Sequence, residues 1–326
     1  MDEFQVIKKI FQPLATKKKS SLNLDDDAAI ISIKNKSIVI ATDTIVEGDH
    51  FPKNEKNPNN IAKKLLRVNL SDIASMGANP FGYTVNLAVP KKLKKKELII
   101  WIKNFAKGLK DDQKKYDIVL LGGDTVATKG NLIMSLTAYG FTNKKILKRS
   151  GAKINEDIYV TGSIGDSGIG YGILLNKFKI TNNSLRNFYI KKHKLPEPPV
   201  NFSKNITRYA SAATDISDGF LADLNNLITS SKCGAEIMVE KIPFIPKTKK
   251  LLDQRKIKID YLLSCGEDYQ LIFTANKKFS QKIFKLAKQY FVKVVKVGEI
   301  IKNRKLKVLD VHGKELFFSV LGFKHF

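Results

Sequence analysis

Apolar residues along the chain follow two rhythms, one alternating and one helical. Ile30 to Ile33 and Ser37 to Ala41 are short runs rich in β-branched residues, and Lys34-Asn35-Lys36 between them has the composition of a hairpin turn. Near the start, Phe4, Ile7 and Phe11 recur at helical spacing until Pro13, and Lys17 to Asn23 reads as a polar loop. From Asn57 to Met76 the positions Ile61, Leu65, Leu66, Leu70 and Ile73 make one helical stripe, stopped by Gly77-Ala78-Asn79-Pro80. Phe81 to Val89 alternates as a strand, and Leu93 to Lys110 is an amphipathic helix. Ile118 to Leu121 is apolar throughout, which predicts a short buried strand, and Leu132 to Thr142 is another strand. A charged segment, Lys144 to Asn155, marks a boundary. Beyond it come strand Ile158 to Thr161, a glycine-rich turn, an apolar helix and a rigid proline-containing connection from Lys191 to Val200. Helix Phe220 to Ser231, strand Gln270 to Thr274, helix Phe284 to Tyr290 and strand Val292 to Val297 complete the pattern. Strands and helices mix throughout, so the expected class is α/β with mixed α+β sheets, and 326 residues suffice for two domains, 1–143 and 144–326.

The polar residues that punctuate these elements are mostly aspartates beside small residues. Asp43, after Thr42, follows the carboxyl end of the Ser37 to Ala41 strand, the edge at which open α/β sheets collect their ligands. Asp27 precedes a strand, Asp72 lies near the end of a helix, Asp124 follows Gly122-Gly123, and Asp215 and Asp218 precede a helix. One such residue is usually a solvated turn or an N-cap. Six in similar settings suggest several Mg²⁺ ions, because hard cations take oxygen ligands and Mg²⁺ usually shares them with substrate phosphates. Three adjacent carboxylates, Asp25-Asp26-Asp27, also repel one another unless a cation sits among them. The turn Gly162-Ser163-Ile164-Gly165-Asp166-Ser167-Gly168 fits either a phosphate cradle or a tight strand-to-helix turn. A P-loop is excluded after Gly122-Gly123-Asp124, since no Gly-Lys-Ser/Thr follows, and so is a hydrolase built on G-x-S-x-G. No Cys/His cluster has zinc spacing. Among four histidines, His50 lies nearest the strand-end acids.

Composition changes this picture little. A 43% hydrophobic content supports full cores. Two cysteines, Cys233 and Cys265, with no signal-peptide pattern and no long apolar run, lead to the expectation of a cytoplasmic protein that does not cross a membrane. The net charge of +26 raises the alternative of a basic nucleic-acid-binding protein. The excess is mostly lysine spread along the chain, with no aromatic-interleaved basic motif, so a solvated surface without a nucleic-acid partner is expected.

Taken jointly, the motifs resemble the thiamine-monophosphate kinase family of the aminoimidazole ribonucleotide synthetase-like superfamily. The matching segments are Asp26-Asp27-Ala28-Ala29, Ala41-Thr42-Asp43-Thr44, Gly48-Asp49-His50-Phe51 and Val68 to Ala78. Gly122-Gly123-Asp124-Thr125, Arg149-Ser150-Gly151-Ala152, Val160-Thr161-Gly162, Asp215 to Gly219 and Gly266-Glu267-Asp268-Tyr269 follow. The resemblance implies ATP-dependent phosphorylation of thiamine phosphate to thiamine diphosphate by direct transfer of the γ-phosphoryl group, with no general base. It implies Mg²⁺ ligands at Asp27, Ala41 (through its backbone), Thr42, Asp43, Asp72, Asp124, Asp215 and Asp218. ATP would meet Gly123, Asp124, Arg149 and Ser217, and thiamine phosphate would meet His50, Glu267 and Phe323. It implies a homodimer paired through the N-terminal domain, with the site between the two domains. The chain departs from the family pattern at Asp25, at Val126-Ala127-Thr128, at Leu195 and Pro199, and at Cys265. Another ATP-using enzyme of the superfamily with a different acceptor is the alternative reading.

Overall fold

The computed structural model describes residues 25–33, 36–53, 55, 57–91, 94–142 and 145–323; the expected Phe4 to Phe11 helix, the Lys17 to Asn23 loop and most of the Lys34 to Lys36 turn lie outside them. The first half is a five-stranded sheet of β1 (Ala29–Ile33), β2 (Lys36–Val46), β3 (Asn79–Pro90), β4 (Val119–Thr128) and β5 (Ile133–Thr142), in spatial order β1-β2-β5-β3-β4. Neighbours are antiparallel except β3 and β4, which are parallel and joined through a helix. Side chains alternate between faces, so Val39, Ala41 and Ile45 of β2 share a side with Met134, Leu136 and Ala138 of β5 and with Tyr83 and Leu87 of β3. That side is buried against Ile61, Leu65, Leu66 and Ile73 of α1 (Pro58–Ser75) and Phe105 and Leu109 of α2 (Lys95–Tyr116).

The second half is a seven-stranded mixed sheet, ordered β12-β11-β8-β10-β6-β9-β7. Its strands are β6 (Asp157–Thr161), β7 (Ala210–Asp215), β8 (Gly234–Met238), β9 (Leu271–Ala275), β10 (Val294–Ile301), β11 (Leu306–Leu309) and β12 (Glu315–Leu316). Helices α3 (Asp166–Leu174), α4 (Asn183–Lys194), α5 (Val200–Ile206), α6 (Phe220–Ser230), α7 (Pro246–Asp253), α8 (Ile259–Ser264) and α9 (Ser280–Gln289) surround it.

Helix α1 belongs to both halves. Asn57 caps it by accepting from the Asn59 N–H, and Pro58 occupies the first turn, where a missing N–H costs nothing. The sequence stripe gave it one apolar face, yet most of its surface is buried. The polar side meets β7, α4 and α5 of the second half, which is why Asn69, Ser71 and Ser75 are buried as well.

Three differences from expectation bear on the site. β2 runs on to Val46, because its pairing with β5 is unbroken from Ser37 opposite Thr142 to Val46 opposite Ile133. Thr42 and Asp43 are therefore mid-strand residues on opposite faces. β4 continues through Gly122-Gly123-Asp124, and it is an edge strand: Val119, Leu120 and Leu121 are 55%, 49% and 52% exposed, not buried. An all-apolar run marks a strand without saying whether a neighbour covers it. Lys191 to Lys194, read as part of the rigid connection, belongs to α4, which ends before Pro196.

A buried ion pair joins α1 to α2. Arg67 Nε and Nη2 donate to Asp112 Oδ2 and Oδ1 at 2.7 and 2.8 Å, and Arg67 Nη1 donates to the Pro196 carbonyl at 3.1 Å. Both side chains are buried, so removing one leaves a desolvated charge, at a cost of about 3–5 kcal/mol. Arg67→Ala is expected to lower the free energy of unfolding by about 3 kcal/mol in urea denaturation. Arg67→Met combined with Asp112→Leu should restore most of it.

Candidate active site

The acidic residues converge where α1 meets β7. Asp27 arrives on the segment before β1, Asp72 on the last turn of α1 and Asp215 at the end of β7. Each offers a carboxylate oxygen, and these oxygens lie within 4.8 Å of one another. Asp43, on the α1-facing side of β2, is hydrogen-bonded to Asp72. Two serines of α1 fix the geometry: Ser71 Oγ donates to Asp215 Oδ2 at 2.7 Å and Ser75 Oγ to Asp27 Oδ2 at 2.9 Å. The Arg149 guanidinium is paired with Asp27, and the Arg149 N–H donates to Asp26 Oδ1 at 3.3 Å.

Crowding carboxylates away from water shifts their protonation. Burial raises Asp215 to about 8, reinforced by Asp27. It raises Asp26 to about 7, again with Asp27, and Asp43 to about 6 against the opposing hydrogen bond from Asp72. Asp72 is pushed well up by burial, then by Asp43 and Asp215. Asp215 Oδ1 is buried without a hydrogen-bond partner among the described residues. Convergent oxygen donors, one of them unsatisfied, fit a hard divalent cation such as Mg²⁺.

Beside the acids opens a cavity of about 570 Å³, whose lining includes Asp43, His50, Lys64, Tyr171, Ser217, Asp218, Glu267 and Phe323. Asp223 shapes its rim. Its Oδ2 accepts the N–H groups of Ser217, Asp218 and Gly219 at 3.0, 3.0 and 3.1 Å, capping α6 from within the first turn. That cap frees Asp215 and Ser217 from the N-cap role. Glu267 sits in the left-handed region at φ 68° and Tyr269 at φ 49°. Their segment lies so close to β7's end that a Cβ on Gly266 would fall 1.9 Å from the Ser217 carbonyl oxygen. Such strain persists only where surroundings over-determine it; the Glu267 and Tyr269 N–H groups donate to Ser217 O and Ile216 O, both at 2.8 Å. Glu267 is further held by Lys64 Nζ at 2.8 Å and His193 Nδ1 at 2.9 Å. Burial opposes its ionisation, but Lys64 and His193 outweigh burial and hold the carboxyl well below the usual range.

The structure thus gathers Asp27, Asp43, Asp72, Asp215, Asp218, Arg149, Ser217, His50, Glu267 and Phe323 around one cluster and cavity. Ala41 is buried on β2 two residues from Asp43. The Thr42 hydroxyl lies on the other face, 3.1 Å from the Leu136 carbonyl and 3.0 Å from Thr137 Oγ1. Gly123 and Asp124 stand apart on exposed β4. Across the sheet Asp124 aligns through Asn86 and Ser135 with Thr44, so it faces away from Asp43's side. The glycine-rich turn before α3 cradles no free anion, because the Gly165 and Ser167 N–H groups already donate to Asp268 at 2.7 and 3.2 Å. Lys64, His193 and Asp223 were missed. Lys64 and Asp223 read locally as helix residues and His193 as part of the proline-containing connection; the Lys64 and His193 roles appear only through Glu267, which is distant in the chain, and that of Asp223 only through the backbone N–H groups that it caps.

These carboxyls hold their protons to higher pH in the fold than in the unfolded chain, where Asp titrates near 3.8. The folded state then binds more protons, and the stability this contributes is complete below pH 3.8 and lost as pH rises through about 6 to 8. Without divalent cations, the unfolding temperature should fall between pH 5.5 and 8.5, and Asp215→Asn should flatten that slope. Equal slopes in thermal scans of the two proteins would contradict the assignment.

Residues 25–142 match the model of the AIR synthase related protein N-terminal domain, and residues 153–311 that of the C-terminal domain. A thiamine-monophosphate kinase of Buchnera aphidicola subsp. Acyrthosiphon pisum is 38% identical, with 99% of this chain and 98% of that protein aligned. The thiamine-monophosphate kinase of Escherichia coli K12 is 36% identical, over 83% of this chain and 82% of its own. The structure of AaThiL complexed with AMPPCP and TMP superposes with a TM-score of 0.85 at 28% identity, covering 100% of this chain and 97% of that one. Two domain matches and full-length relatives give one answer: the chain belongs to the AIR synthase related family, among its thiamine-monophosphate kinases.

Proposed function

We propose that the chain transfers the γ-phosphoryl group of ATP to the phosphate of thiamine phosphate, yielding thiamine diphosphate and ADP. The observation that carries this reading is the convergence of Asp27, Asp72 and Asp215 from both domains beside a cavity that also holds Glu267, His50 and Phe323. AaThiL, its structural relative, binds AMPPCP and TMP. The acceptor is already a phosphate oxygen, so the reaction needs no general base, and positioning with charge neutralisation supplies the catalysis.

Asp27, Asp43, Asp72, Asp215 and Asp218 would hold Mg²⁺, which when bound neutralises phosphate charge and fixes phosphate oxygens. Arg149, paired with Asp27, brings a positive charge to the cluster and is the natural contact for ATP phosphates, with Ser217 contributing from the cavity wall. The organic part of thiamine phosphate would lie toward His50, Glu267 and Phe323. The free cysteines Cys233 and Cys265 suit a reducing cytoplasm; among the described residues no helix is long and apolar enough to cross a membrane.

Gly123 and Asp124 enter this scheme through a homodimer. β4 leaves Val119, Leu121 and Val126 51–55% exposed along an edge that no strand among the described residues pairs with, the kind of surface that native proteins cover. Asp124 stands three strands from β2, about 14 Å along the sheet, and on its other face. A second copy seated against this face would bring its own Gly123 and Asp124 toward a shared site.

The test is formation of thiamine diphosphate from ATP and thiamine phosphate, with and without Mg²⁺. Asp43→Asn is expected to cut Mg²⁺-dependent turnover by about 100-fold or more while leaving the thermal unfolding profile cooperative. Near-normal turnover in that variant would remove Asp43 from the ion site. Val126→Lys is expected to convert a dimer to monomers in sedimentation velocity and to lower activity; a monomeric wild-type protein would contradict the pairing.

A further inference from the structure

The cavity lining is chemically mixed: Asp43 and Asp218 contribute carboxylates, and Tyr171, Tyr261, Leu175 and Phe323 contribute apolar and aromatic surface. We infer that Tyr171 is a ring-stacking contact for the organic part of the substrate, and that His193 is the buried positioning residue that holds it in place. The inference rests on the thiamine phosphate reading above, whose substrate carries two flat rings, one of them cationic. An electron-rich phenol face attracts such a ring both by stacking and by its quadrupole.

Tyr171 is placed for this by the packing of α3. Residues 166–170, 172 and 173 of that helix are buried, while Tyr171 is half-buried and lines the cavity. The helix cannot slide to turn the ring away. A Cβ on Gly170 would fall 2.1 Å from the Tyr189 carbonyl oxygen, and one on Gly168 would fall 1.9 Å from Cys265 Sγ. Behind the phenol, the His193 imidazole is stacked on it, with centroids 5.1 Å apart and planes at 27°. His193 is 2% exposed, and its Nδ1 lies 2.9 Å from Glu267 Oε2. One buried imidazole therefore fixes both the aromatic wall and the carboxylate beside it. Tyr261 differs. Its hydroxyl donates to the Gly168 carbonyl at 2.7 Å and its ring meets Phe178 edge-on, so it is tied into the scaffold.

The experiment is calorimetric titration of the full chain with thiamine phosphate, together with steady-state kinetics for both substrates. Tyr171→Leu is expected to weaken thiamine phosphate binding about fivefold or more, with the KM for ATP unchanged. Tyr171→Phe keeps the ring and should stay within about twofold of wild type. His193→Ala should raise the KM for thiamine phosphate while kcat and the KM for ATP hold, a split that general loosening of the fold would not give. A Tyr171→Leu protein that binds thiamine phosphate as tightly as wild type overturns the stacking contact. A His193→Ala protein that loses kcat with an unchanged KM overturns the positioning role. A wild-type protein that takes no thiamine phosphate overturns the proposed function itself, and this contact with it.

Discussion

Several carboxylates held together away from water set the terms for the rest of the molecule. Asp27, Asp72 and Asp215 approach within 4.8 Å, with Asp43 bonded to one of them. Like charges at that distance in a desolvated setting are costly. The cost is reduced in two ways, by raised pKa values that keep protons on the acids and by the Arg149 guanidinium on Asp27. On the proposed reading, divalent cations would take the place of both.

The cluster exists only because the two halves meet. α1 carries Ser71, Asp72 and Ser75 where the two halves meet: Asp72 is hydrogen-bonded to Asp43 of β2, and hydrogen bonds from the two serines reach Asp215 in the second half and Asp27 before β1. The same helix supplies Lys64 to Glu267 and Arg67 to Asp112. A single element thus positions the acids, braces the cavity wall and locks the first half together. Its burial on nearly all sides is the structural price of that shared duty.

Much of this was legible in the sequence. The stripe from Ile61 to Ile73 located α1, and the small-residue settings of Asp27, Asp43, Asp72, Asp215 and Asp218 located the acids, because local pattern determines both. What pattern could not give was partnership. β4 reads as a buried strand from its composition, yet it lies at an edge, and edge position depends on sheet order. The turn at Gly162 to Gly168 has the composition of a phosphate cradle, but its N–H groups are taken by Asp268, about a hundred residues away in the chain. His193 and Tyr171 carry no motif; only the folding of α3 beside α4 joins them.

On the proposed reading, cations replace protons and Arg149 at the acidic cluster, and Mg²⁺ binding measures that directly. Calorimetric titration of the wild-type chain with Mg²⁺ at pH 8, with ATP present, should show saturable binding with release of protons from the protein. Asp72→Asn should lose that proton release and most of the binding. Equal Mg²⁺ binding and proton release in the two proteins would contradict the account, because the metal would then be held by ATP alone.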